Sequence, residues 1–328
     1  MNFLKMIDGY KDEIIETTQE LVKIKSVEEK PLPGMPFGEG PYRALEKTLD
    51  IAENMGFETK NFDGYAGHID LGEGEEIVGV LAHLDVVPEG EGWTYGPYNG
   101  EIHDGKIYGR GTVDDKGPAI AALYAMKLLK ESGVELKRKI RLILGTNEET
   151  GWGCMKYYFE HEKAPNMAFT PDAEFPAIHG EKGIINFDLV FKLNNATDCD
   201  IVLKNIKAIL QVKDYDLLEQ GFKKYIEEKN YPIKINRIKD GVQVIAKGVS
   251  ARGSTPEKGE NAITYLMDYL GVLFNGECSI CRFIDVYNRR IEFKHHGEGI
   301  GCEFEDDVSG KLNFNVGMIK LEEGKIKL

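Results

Sequence analysis

The chain has 328 residues, enough for about two domains and a sizeable core, and its 42% hydrophobic and 29% charged residues suit a globular protein. Its 55 acidic against 41 basic residues give a formal charge of -14, which argues against nucleic acid or an anionic membrane as partner. Acidic residues by position 8 interrupt any signal-peptide core and no run of about 18 apolar residues occurs, so the expectation is a cytoplasmic protein without a membrane segment.

Residues 3–26 set Phe3, Met6, Ile7, Tyr10, Ile14, Ile15, Leu21 and Val22 mostly three and four apart, which predicts an amphipathic helix. The Pro- and Gly-rich loop KPLPGMPFGEGP then leads to a second helix over about 42–55 that stops at Gly56. From residue 57 the period changes. ETKNF and HIDL read as short strands, and EEIVGVLAHLDVV as a central strand apolar on both faces, as in a parallel sheet. A Gly- and aromatic-rich loop follows, with turns at Asn99-Gly100 and Asp104-Gly105. Asp114-Asp115-Lys116-Gly117-Pro118 opens a helix punctuated by Gly133. KIRLILGTNEE and NMAFTPD repeat the pattern of apolar strand and polar tip around a helix in GWGCMKYYFEH.

Alternating strands and helices predict an α/β domain over residues 1–182, with a mostly parallel central sheet flanked by helices; the family resemblance given below implies that it is the catalytic domain. In such sheets ligand sites form beyond the carboxyl ends of the strands. After about Gly183 the alternation breaks down. INFDLVFKL, PIKINR and VQVIAKGV read as strands, residues 200–229 carry two helix-like patterns, a helix starts near Asn261, and LNFNVGMIKLEEGKIKL reads as a hairpin. Residues 183–328 are therefore expected to form an α+β domain built on an antiparallel sheet, which the family resemblance given below implies to be an inserted lid or dimerisation-type domain.

Three strand tips and one helix start thus carry metal-ligating or proton-handling groups. His83 and Asp85 are two apart on a strand and share a face, so Asp85 can hold the second nitrogen of a metal-binding imidazole. Asp114 follows Gly109-Arg110-Gly111, which frees the backbone to turn; the plainer reading is that Asp114 or Asp115 caps the helix. Neighbours on an extended tip point in different directions, so one of Glu148 and Glu149 can bind metal while the other handles a proton. A solvated turn is the alternative. Two cations would let these carboxylates, with Asp172, share one crevice.

The five cysteines, Cys154, Cys199, Cys278, Cys281 and Cys302, show no framework spacing, so reduced thiols are expected. Cys278-Ser-Ile-Cys281 is a lone CxxC, read as incidental, with a metal or redox role as the alternative.

HLDVVP, YGRGTVDDKGP, GTNEETGWG and TPDAEFP, in this order, resemble the M20 family of zinc metallopeptidases, and within it the PepV-like dipeptidase branch. The resemblance implies that His83 and Asp172 bind a first zinc, Asp114 bridges to a second, and Glu149 binds that second zinc. Glu148 would be the general base and Asp85 would orient His83. Manganese or cobalt could replace zinc. The implied reaction is hydrolysis of a small peptide. The alternatives are an N-acyl amino acid amidohydrolase of the same family, such as a desuccinylase or deacetylase, and a non-catalytic remnant.

Two departures from the family pattern bear on this. Family members continue beyond residue 328 and complete the second zinc site with a histidine there, so a truncated chain is expected, with poor solubility, a separate C-terminal chain or a homo-oligomer as consequences. In SARGSTPEKGENA, Arg252 stands where the family has a histidine that polarises the substrate carbonyl. Arg252 can donate hydrogen bonds to substrate but cannot bind metal.

Overall fold

The computed structural model describes residues 3–90, 92–173, 178, 183, 190–192, 201–204, 207–210, 214–239, 241–249, 251, 253–274, 276, 278–322 and 325–327. The chain folds as two compact units, Met1–Ile178 and His179–Leu328. No described helix is long and apolar enough to cross a membrane.

The first unit opens with α1 (Phe3–Ile7), α2 (Lys11–Val22) and α3 (Glu39–Asn54). β1 (Glu58–Phe62), β2 (Ala66–Leu71), β3 (Ile77–His83), β4 (Glu101–His103) and β5 (Lys106–Tyr108) follow. α4 (Lys116–Ser132), β6 (Lys139–Gly145), α5 (Gly153–His161) and β7 (Met167–Phe169) complete it. The central sheet has the order β1-β2-β6-β3-β7. β3 pairs in parallel with both β6 and β7, whereas β2 is antiparallel to β1 and β6. Four of the five strands therefore run the same way, and the tips of β3, β6 and β7 lie at one edge.

Both faces of this sheet are covered. Along β6, Leu142 and Leu144 join a cluster with Leu21, Leu45, Ala119, Ile120 and Leu123 of the helices. Ile143 points the other way, to Phe62, Cys154, Met155 and Tyr158. That two-sided burial explains why β3 and β6 read as continuous apolar runs. Each wholly buried Leu or Ile contributes about 1.5–3 kcal/mol, so the strand ends are anchored by their own hydrophobic interiors. α4 stops where Gly133 adopts a left-handed φ of 66°, donating its N–H to the carbonyl of Lys130.

The second unit contains β8 (Val190–Lys192), β9 (Ile201–Lys204), β10 (Lys207–Leu210), α6 (Tyr215–Lys229), β11 (Ile233–Ile238) and β12 (Gly241–Ala246). α7 (Ala262–Leu273), α8 (Ser279–Arg290), β13 (Glu305–Asp306), β14 (Gly310–Lys311), β15 (Lys320–Glu322) and β16 (Lys325–Lys327) follow. Its seven-stranded sheet, β11-β12-β10-β9-β15-β16-β8, is antiparallel at every described pairing. Leu266, Leu270, Phe283, Ile284 and Tyr287 of α7 and α8 pack with Val244 and Ala246.

Two readings change here. Of the two helix-like patterns in residues 200–229, only α6 is a helix; the first is the β9–β10 pair, since short apolar runs such as Ile201-Val202-Leu203 fit either period. The expected C-terminal hairpin is present, with β15 and β16 as its described strands. The cysteines expected as thiols include a disulfide between Cys278 and Cys281. Cys278 caps α8 and Cys281 lies in its first turn, which brings their Cα atoms to 5.1 Å. Cys154 is a buried thiol and Cys302 a half-buried one; Cys199 lies outside the described residues.

Candidate metal centre

His83 is the last residue of β3 and is 2% exposed. Its register opposite Gly145 of β6 continues one residue further, where the Leu84 N–H donates to the Gly145 carbonyl at 2.9 Å. Ser26 closes the other side: its hydroxyl donates to the Leu84 carbonyl at 2.6 Å, and its own carbonyl accepts the Val86 N–H at 3.0 Å. The backbone beneath the imidazole is thereby fixed.

The ring is oriented as well. Nδ1 of His83 donates to the backbone carbonyl of Asp85 at 3.0 Å, with the Asp85 carboxylate further away at 3.5 Å. That leaves Nε2 facing the carboxylates. Asp85, expected to orient His83, uses its two side-chain oxygens mainly to accept the backbone N–H groups of Glu148 (3.0 Å) and Glu149 (3.1 Å). It thus ties the tip of β3 to the turn after β6.

The start of α4 is built by the DDK run. Gly111 has a left-handed φ of 87° and lies so close to Val86 and Lys116 that an added Cβ would meet Val86 Cγ1 at 2.9 Å. Asp115, a candidate helix cap, makes no side-chain cap; it is fully buried and accepts the His83 N–H at 3.1 Å. Lys116 is equally buried and donates to the carbonyls of Leu21 (3.0 Å) and Ile24 (2.7 Å). Burial lowers its ammonium to about 7. Asp114, in contrast, stands at the surface of the crevice.

Around Nε2 of His83 lie Asp114 Oδ1 at 2.9 Å, Asp172 Oδ2 at 3.5 Å and Glu148 Oε2 at 3.9 Å. Donor atoms of His83, Asp114 and Glu149 lie within 4.8 Å of one another, as do those of His83, Glu148 and Asp172. The structure therefore brings His83, Asp85, Asp114, Glu148, Glu149 and Asp172 together. Arg252 lies outside the described residues. None of the other described histidines joins a three-donor group: His161, for example, hydrogen-bonds to the Tyr157 carbonyl.

Electrostatics fit cations. Burial opposes a charged His83, but hydrogen bonds to Asp114, Asp172 and Asp85 outweigh it and hold the imidazole protonated far above its ordinary range. Burial, reinforced by Asp114, pushes the Glu149 carboxyl up to about 7. Glu148 is raised by burial and by Asp172, and burial takes Asp115 to about 7. A single imidazole among so many carboxylates leaves excess negative charge, which a divalent cation would neutralise in place of the His83 proton. Nitrogen and oxygen donors of this kind suit zinc, manganese or cobalt.

Sequence reasoning missed the roles of Asp115 and Lys116, although the DDK run was their signal. It also missed Trp152, whose indole N–H donates to Glu148 Oε1 at 3.1 Å.

The pattern that defines peptidase family M20/M25/M40 matches residues 79–307. The chain is 36% identical to YtjP of Bacillus subtilis (strain 168) over 342 aligned positions, covering 99% of this chain and 73% of the relative. It is 35% identical to the Beta-Ala-Xaa dipeptidase of Lactobacillus delbrueckii subsp. lactis over 353 positions, covering 100% of this chain and 73% of that protein. A solved structure, human carnosine dipeptidase 1, aligns with a TM-score of 0.43 at 28% identity, over 48% of this chain and 37% of that one. The chain thus matches less than two thirds of that solved protein.

Proposed function

Because the chain belongs to peptidase family M20/M25/M40, a family of metal-dependent hydrolases, we propose that it hydrolyses the peptide bond of dipeptides at the carboxylate cluster around His83. The observation that carries this reading is the pair of overlapping donor groups that meet at His83. His83 and Asp172 would hold one cation, Glu149 another, and Asp114 would serve both. Bound there, two divalent cations would polarise the scissile carbonyl and supply a water of lowered pKa.

The chain's own groups do the rest. Glu148 accepts the proton of the attacking water and returns it to the leaving amine. Burial and the nearby Asp172 carboxylate raise its proton affinity above that of an ordinary carboxylate. Asp85 fixes the backbone of both glutamates, and Asp115 fixes that of His83.

The test is hydrolysis of alanyl dipeptides by zinc-equilibrated protein, compared with N-acetyl and N-succinyl amino acids. Dipeptides should turn over faster, and Glu148→Gln should lower kcat by about 10²–10⁴-fold while the fold is retained. Faster hydrolysis of the acyl amino acids would reassign the substrate; no hydrolysis of either would remove the reading. Elemental analysis of the same sample should give two metals per chain.

A further inference from the structure

Trp152 sits at an odd place for a large apolar residue. It is 54% exposed, and its backbone has a left-handed φ of 59°, a conformation rare for bulky residues. The turn is nonetheless built to hold it. Trp152 N–H donates to the Asn147 carbonyl at 2.8 Å, and the Asn147 side chain, itself buried, accepts the Gly153 N–H at 3.0 Å and donates to Thr150 at 2.5 Å. The Trp152 carbonyl in turn accepts the Lys156 N–H of α5. The result aims the indole back over the residue four positions earlier.

There the indole N–H meets Glu148 Oε1 at 3.1 Å. Glu148 Oε2 is the oxygen that faces His83. The two oxygens of one carboxylate thus have separate surroundings, one on a neutral donor at the rim and the other toward the ligand cluster. Asp85 fixes only the backbone N–H of Glu148, so that contact leaves the side-chain torsions open. An indole N–H is a donor that cannot accept a proton, so it can orient the carboxylate without competing for the proton it carries.

We infer that Trp152 is a positioning residue: its indole N–H anchors one oxygen of Glu148 so that the other is directed at the reacting water. This rests on Glu148 being the proton carrier of the proposed dipeptidase reaction. Trp152 touches the base rather than the reacting atoms, and a small misplacement of a catalytic group lowers turnover by about 10²-fold.

The sequence makes the test clean, because Trp93 and Trp152 are the two tryptophans of the chain. The Trp93 indole donates to the Glu89 backbone carbonyl and not to Glu148. Isotope-labelled, zinc-equilibrated protein should give two indole N–H resonances, assigned by Trp93→Phe. In Glu148→Ala the Trp152 resonance should shift while that of Trp93 stays in place. In Trp152→Phe, which keeps a ring and drops the donor, kcat for an alanyl dipeptide should fall about 10- to 100-fold at unchanged KM and unchanged thermal midpoint. Trp152→His, which retains a ring N–H, should recover part of that loss.

An indole resonance indifferent to Glu148→Ala overturns the contact. A moved resonance with wild-type kcat in Trp152→Phe overturns the positioning role, and a raised KM at unchanged kcat makes Trp152 a substrate platform instead. If wild-type protein shows no turnover while the resonance still moves, the dipeptidase reading fails. Trp152 then merely immobilises a surface carboxylate, and the positioning role falls with that reading.

Discussion

Two neighbouring strands of one sheet deliver ligands to the same crevice by opposite means. β3 is flanked by β6 and β7, and its tip residues His83 and Asp85 are 2% and 1% exposed and held by hydrogen bonds to Asp115 and to the Glu148 and Glu149 backbone. β7 is an edge strand of three exposed residues, with Met167 and Phe169 more than half exposed. Asp172, beyond its end, has its backbone N–H 3.4 Å from the Thr170 hydroxyl, a weak contact. The difference teaches that the imidazole and the turn carrying both glutamates are preorganised by the fold, whereas Asp172 is brought in on a lightly held tip. Mutations should separate the two by whether they damage stability or metal binding.

The largest effect is expected at the buried tip. Asp85→Ala removes the acceptor for two backbone N–H groups and a neighbour of His83, and should lower the free energy of unfolding by about 3–5 kcal/mol in urea titration. A loss below about 1 kcal/mol would show that the turn is held by something else, and the comparison with β7 would break.

Acid should expose the same buried layer. His68 on β2 is buried against Tyr158, and burial lowers its imidazole to about 4. The folded protein therefore keeps the neutral form while the unfolded chain takes up a proton below its ordinary value of about 6.5. This stability is fully present above about pH 6.5 and is lost as the pH falls toward 4, at about 2–3 kcal/mol. Unfolding midpoints at pH 7 and pH 4.5 should differ more in wild type than in His68→Gln. At still lower pH Asp70 adds to the loss: burial alone would raise its carboxyl, but the Arg141 fork holds it below the usual range.

Lys116→Met should cost about 1–3 kcal/mol, because it removes the ammonium that the carbonyls of Leu21 and Ile24 share and leaves the Ile24 carbonyl short of a donor. The smallest effect on stability belongs to the exposed tip. Asp172→Asn should change the free energy of unfolding of metal-free protein by less than about 0.5 kcal/mol, yet reduce the zinc retained per chain. Equal destabilisation by Asp172→Asn and Asp85→Ala would erase the contrast.

Much of this site could be read from local pattern. The apolar runs that end at His83, at Glu148 and near Asp172, and the Gly-Arg-Gly turn before Asp114, each announce a strand or helix terminus within a few residues of sequence. The same method failed on residues 201–210, where two short apolar runs fit a helix as readily as the β9–β10 pair they form. It passed over Asp115, because a second acid after Asp114 looks like a solvated cap when its burial is not visible. It placed Asp85 beside the imidazole, the nearest partner in sequence, and did not show that the carboxylate also binds the Glu148 and Glu149 backbone 63 and 64 residues away.

The sequence by itself determined which residues end the strands, and so which side chains were available to ligate or to carry a proton, because strand period and turn chemistry act over a few residues. Only the tertiary structure decided how they are used. The parallel register of β3 on β6 sets His83 opposite Gly145, and the turn beyond Gly145 brings Glu148 under Asp85 and the Trp152 indole over Glu148. That register is fixed by burying Leu142, Ile143 and Leu144 on two opposite faces, a constraint that no local stretch of sequence contains.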